Sequence, residues 1–130
     1  MLWRTHLAIA LAVALLLLPY VTHKILFVPI ILLASFLPDI DAPSSNIGSR
    51  TMFKPLHWIF SHRGFIHSYT LCALVSLLFA FFYPQFALPF FLGYSSHLIA
   101  DSFTIEGILP FWPIKQRVSG IVRTGGLLEK

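Results

Sequence analysis

Seven side chains able to bind a metal ion stand out in this chain: His6, Asp39, Asp41, His62, His67, His97 and Asp101. The sequence holds only five acids and six histidines in all, so these seven are most of its titratable capital below neutrality. His97 and Asp101 are four apart, which puts both on one face of a helix. Asp39 and Asp41 follow Pro38, and an extended backbone there would turn both carboxylates the same way. His62 and His67 are five apart, about 140° round a helix, so they meet one site only if a helix starts between them, where Gly64 permits a break. Imidazole mixed with carboxylate, without thiolate, suits zinc first, with manganese or iron as alternatives. Arg63 sits beside His62. A guanidinium cannot ligate a metal but can hold negative charge on a phosphate or an oxyanion. Taken singly, each residue has an ordinary reading: a helix cap, a boundary residue or a topology charge. What sets them apart is where the chain must place them.

The chain is 57% hydrophobic and 11% charged, with mean hydropathy +0.80. Soluble domains carry about 25% charged residues, so there are too few charges here to wet a globule and lipid must cover much of the surface. The net charge of +4 is small and scattered, which argues against a nucleic-acid partner. The lone Cys72 excludes an internal disulfide and reads as a small buried residue.

Four apolar segments follow. Nineteen uncharged residues separate Arg4 from Lys24, about 28 Å as helix. No small-x-small cleavage pattern follows, so this reads as an uncleaved membrane helix rather than a signal peptide. The second segment, Ile25–Pro38, spans about 21 Å. A polar stretch over 39–63 precedes a long uncharged run that Tyr83-Pro84-Gln85 divides into Ile66–Tyr83 and Phe86–Ala100. After Asp101 the chain reads as loop-like and amphipathic, with a basic tail of Lys115, Arg117, Arg123 and Lys130. The expected fold is an all-α integral membrane protein: one unit over 1–130, a bundle of about four short transmembrane helices with a cytoplasm-facing metal site.

Four spans put Arg4, Arg50, Lys54, Arg63, Lys115, Arg117, Arg123 and Lys130 on one side and Lys24 alone on the other. By the positive-inside rule, both termini are then cytoplasmic in a multi-pass protein of the cell membrane. All seven candidate ligands fall at that inner face. Three spans would part His67 from His97 and dissolve the cluster. Ionisable groups at membrane depth are costly and usually mark function. His23 and His57 lack such company.

The strings Leu37-Pro38-Asp39-Ile40-Asp41-Ala42-Pro43-Ser44, Ser61-His62-Arg63-Gly64-Phe65-Ile66-His67-Ser68 and Gly93-Tyr94-Ser95-Ser96-His97-Leu98-Ile99-Ala100-Asp101-Ser102-Phe103-Thr104, with Gly107 three residues on and Thr5-His6 near the start, resemble the YdjM-type family of predicted membrane-bound metal-dependent hydrolases. The resemblance runs over about residues 5–113 and carries His6, Asp39, Asp41, His62, Arg63, His67, His97 and Asp101 as its shared positions. Ala42 departs from a His common in relatives, and Ser61 from a Gly. The resemblance implies a hydrolase. In that chemistry Asp39 or Asp41 would take a proton from water, Arg63 would meet developing negative charge, and a site at the inner leaflet would draw a lipid or phosphoester substrate. The alternative is a non-catalytic membrane metal-binding protein or divalent-cation carrier. The almost purely apolar outer halves of the segments weigh against transport.

Overall fold

A computed structural model describes residues 3–39, 64–124 and 126. Among these the chain is helical, without strands. Helix α1 covers Trp3–Leu17 and tightens into a 3-10 turn, Leu18–Tyr20, at Pro19. Helix α2 covers Lys24–Phe36, and a second 3-10 turn, Leu37–Asp39, ends it. Helix α3 is Tyr69–Phe82 and helix α4 is Pro84–Ser102.

The boundaries have local causes. Ser68 is in extended backbone, and its hydroxyl accepts from the Leu71 N–H, as an N-cap residue does. Helix α3 therefore starts at Tyr69 rather than Ile66, and it starts after His67 instead of between His62 and His67. His67 lies in the turn that enters the helix. Tyr83 separates α3 from α4 because the following proline disfavours helical backbone there, and Pro84 itself opens α4, where its missing N–H costs nothing. Asp39 ends a 3-10 turn, not the extended strand expected of it. By length and composition, Trp3–Tyr20 alone among the described residues is apolar enough to cross a membrane; α3 is apolar but shorter.

Helix α4 packs against α1, α2 and α3. Every residue from Gly93 to Leu98 is buried, as the central helix of a bundle requires. The closest approach is at Gly93. A Cβ there would stand 2.3 Å from the Ile31 carbonyl oxygen and 2.9 Å from the Ala34 Cβ of α2. Gly93→Ala should therefore force α4 off α2 one turn before His97. Overpacking of this kind costs about 1–3 kcal/mol, read as an earlier thermal transition in detergent. An unchanged melt would mean the two helices are not held this closely.

On α1 the buried residues are His6, Ala10 and Ala14, four apart, so one stripe carries His6 into the bundle. Ala10 and Ala14 form one apolar cluster with Phe27 and Ile31; Ala34, Cys72, Phe90, Tyr94, Leu98 and Ile108 form the other. Cys72 is fully buried, as its sequence context implies. The outward faces are apolar instead of polar: Leu16, Ile25, Leu33, Phe81 and Phe82 are all exposed by more than half. A bundle with His, Ser and Asp inside and Leu and Phe outside suits lipid, not water.

The residues after α4 are pinned rather than loose. Ile108 and Val118 exchange backbone hydrogen bonds at 2.9 Å, and the Gly120 N–H donates to the Thr104 carbonyl. The Tyr69 N–H at the start of α3 donates to the Pro110 carbonyl at 2.8 Å, and the Thr70 hydroxyl to the Trp112 carbonyl. This segment ties the end of α4 to the beginning of α3.

Candidate metal centre

The ends of three helices meet at one point of the bundle. Asp39 arrives at the end of α2, His67 just before α3, and His97 and Asp101 on the last turns of α4. One donor atom from each lies within 4.8 Å of all the others, which makes the four a group able to hold a metal ion. The individual distances are informative. His97 Nε2 is 3.4 Å from Asp101 Oδ2 and 3.8 Å from Asp39 Oδ1. His67 Nε2 is 3.6 Å from Asp101 Oδ2 and 3.7 Å from Asp39 Oδ1. Charge-assisted hydrogen bonds are shorter, about 2.7–2.9 Å. Two donors on one tetrahedral ion, each bonded at about 2.0–2.1 Å, stand about 3.4 Å apart. The four donors are spaced like ligands around a common centre.

His97 shows how the fold orients such a donor. Its Nδ1 lies 2.8 Å from the Ser35 carbonyl oxygen of α2. A carbonyl only accepts, so Nδ1 carries the proton and the Nε2 lone pair faces the carboxylates. This is the outer support that metal-bound histidines have in general. His97 Nε2 is itself buried with no hydrogen-bond partner among the described residues, an arrangement that costs free energy unless something electrophilic sits there. Thr104 secures the same end of α4 from beyond its last residue. Its hydroxyl donates to the Asp101 backbone carbonyl at 2.7 Å and accepts from the Gly107 N–H at 3.2 Å. Gly107 has φ +60°, a conformation that glycine adopts freely. The Tyr94 hydroxyl bonds the Ile66 carbonyl and so anchors the residue before His67.

Burial grades the four. Asp101, His67 and His97 are at most 2% exposed, while the Asp39 side chain is 33% exposed. Asp39 is thus where the cluster opens. Burial opposes its charge, but the His67 imidazole and the nearby His97 and His6 rings outweigh that and hold its carboxyl below the usual carboxylate range. It is ionised, and available as a ligand, at neutral pH.

Of the residues singled out by sequence, Asp39, His67, His97 and Asp101 come together, and His6 lies against them: its ring stacks on His97 with centroids 3.8 Å apart. Asp41, His62 and Arg63 lie outside the described residues, as does His57. His23 sits at the opposite end of α2, exposed, before its first residue. Sequence reasoning missed Ser35 and Tyr94. A polar residue inside an otherwise apolar helix was the available signal for Ser35, although the group used is its backbone carbonyl.

The sequence matches the family described as YdjM inner membrane protein over residues 1–127. It is 42% identical over 101 residues to the protein named inner membrane protein YdjM of Escherichia coli (strain K12), an alignment covering 69% of this chain and 50% of that protein. The protein of the same name from Shigella flexneri matches equally. The uncharacterized protein YvsG of Bacillus subtilis (strain 168) is 31% identical over 120 residues, covering 80% of this chain and 72% of that one. The chain spans about half the length of the YdjM proteins it matches. No solved structure matches it. With the family match running over almost the whole sequence, the chain belongs to the YdjM inner membrane protein family.

Proposed function

We propose that this chain is a multi-pass protein of the cell membrane that binds a divalent metal at its cytoplasmic face and hydrolyses a lipid or phosphoester there. The observation that carries the reading is the ligand-spaced group of half-buried Asp39 with buried His67, His97 and Asp101, in a helical chain whose outward faces are apolar. The two imidazoles and two carboxylates favour zinc, with manganese or iron next. The charge bias read in the sequence supports four short spans with both termini inside, and the length suits one unit over 1–130.

In this reading His67, His97 and Asp101 hold the metal and Asp39 holds it loosely, on the open side. A bound divalent ion acidifies water and polarises an ester or phosphoryl oxygen. Asp39, or Asp41 in the same string, accepts the proton as the general base. Ser35, through its carbonyl, keeps the His97 lone pair aimed while this happens. Arg63 meets the negative charge that develops on the substrate oxygen. His62 and Asp41 add donors in the adjoining segment.

One feature favours the non-catalytic alternative. Four protein donors fill a tetrahedral ion, and closed sites of that kind are structural, whereas catalytic ones keep a position open. The greater exposure of Asp39 and its longer distances make it the donor that yields that position. Two experiments separate the readings. Metal-loaded protein should turn over members of a panel of phospholipids and phosphoesters in mixed micelles, and Asp39→Asn should slow this. Bound metal with no turnover across the panel points to the non-catalytic protein. A reporter inserted within 39–63 should read cytoplasm, and an external signal there overturns the topology.

A further inference from the structure

One buried ionisable group remains unused by the four-donor site. His6 is 2% exposed, and neither of its ring nitrogens has a hydrogen-bond partner among the described residues. A neutral imidazole carries one donor and one acceptor, and burying both unmet is costly. Its position is not that of a packing residue alone. Its Nε2 lies 3.4 Å from Asp101 Oδ1, whereas His97 and His67 face the other oxygen, Oδ2, at 3.4 and 3.6 Å. The three imidazoles are therefore divided between the two oxygens of one carboxylate.

The His6 distance is too long for a charge-assisted hydrogen bond, about 2.7–2.9 Å, and equals the separation of two donors sharing an ion. The ring geometry adds an independent constraint. His6 and His97 lie nearly parallel, 15° apart, with centroids separated by 3.8 Å. An imidazole holds a metal in its own plane, along the nitrogen lone pair. Two near-parallel rings at this spacing cannot both point in their own planes at one ion, so they aim at separate positions. Paired catalytic ions stand about 3.5–4 Å apart. His6 also stands outside the group of four mutually close donors, as a ligand to a second ion would.

We infer that His6 and Asp101 Oδ1 hold a second divalent ion beside the one held by Asp39, His67, His97 and Asp101 Oδ2, with Asp101 bridging the pair. This rests on the metal reading above and narrows it. The second position has two protein donors, with water completing it, so it is the weaker and empties first. Two ions at this spacing would clamp both the attacking and the leaving oxygen of an in-line displacement, which suits a phosphoester as the substrate class.

The test is manganese(II) alone, titrated into the full chain after chelator stripping in detergent, with bound ions counted by equilibrium dialysis and followed by electron paramagnetic resonance. The wild type should take up two ions per chain. The resolved signal of an isolated ion should appear at low loading and broaden through magnetic coupling as the second position fills. His6→Ala should stop at one ion and keep the isolated signal at every loading. Saturation of the wild type at one ion, or two ions in His6→Ala, overturns the second position and leaves the four-donor centre standing. No binding by the wild type overturns both. The wild-type count and line shape decide the matter even if His6→Ala does not fold.

Discussion

Asp101→Asn should strip the protein of metal while leaving its fold in place. The carboxylate faces three imidazoles, with distances of 3.4 Å to His6, 3.6 Å to His67 and 3.4 Å to His97. It is the common element of the cluster. Asparagine keeps the size and one oxygen but removes the negative charge that would balance a divalent ion. Losing a mere supporting group around a metal ligand typically costs about 10–100-fold in affinity, and losing a shared donor should cost more. The fold should survive because the contacts that end α4 use the backbone of residue 101: Thr104 bonds its carbonyl, not its carboxylate. Circular dichroism beside metal analysis checks this. A variant that retains wild-type metal would show that Asp101 is only a buried acid.

Arg63→Ala should give the opposite pattern: near-normal metal content with turnover reduced about 10²–10³-fold, the usual effect of removing one electrostatic contact to a developing oxyanion. A guanidinium is all donor and stays protonated, so its loss takes no ligand from the metal. Arg63→Lys should recover only part of the rate, because an ammonium lacks the planar two-pronged geometry. Rates of wild type and both variants on the same phosphoester, with metal measured in each, decide it. Full activity in Arg63→Ala would remove Arg63 from the chemistry, and loss of metal would make its role structural.

The residues of the centre were legible because burial in lipid is so selective. Few polar groups survive in a chain this apolar, so His97 and Asp101, four apart, and Asp39 after Pro38 announce themselves, and the helices do bring them together with His67. The start of α3 was less legible. Apolar periodicity begins at Ile66, but the Ser68 hydroxyl caps the helix and leaves His67 in the preceding turn, where it can face α4. The support of His97 was not legible at all, since a backbone carbonyl on α2 has no signature in residue type. Nor was the depth of contact at Gly93, which reads as an ordinary small residue until α2 is placed against it. The expected extended backbone at Asp39 failed for a related reason. Pro38 is compatible with a 3-10 turn, and that turn continues α2 far enough to deliver the carboxylate.

If the convergence of α2, α3 and α4 builds a metal centre, the protein carries bound divalent metal that depends on His97. Metal content per chain, measured on protein purified in detergent for wild type, His97→Ala and His23→Ala, tests it most directly. His97 lies in the cluster with its Nδ1 proton held by Ser35; His23 is an exposed imidazole at the other end of α2. Wild type and His23→Ala should carry bound divalent metal in like amount, and His97→Ala should carry much less. Equal metal in all three would contradict the account.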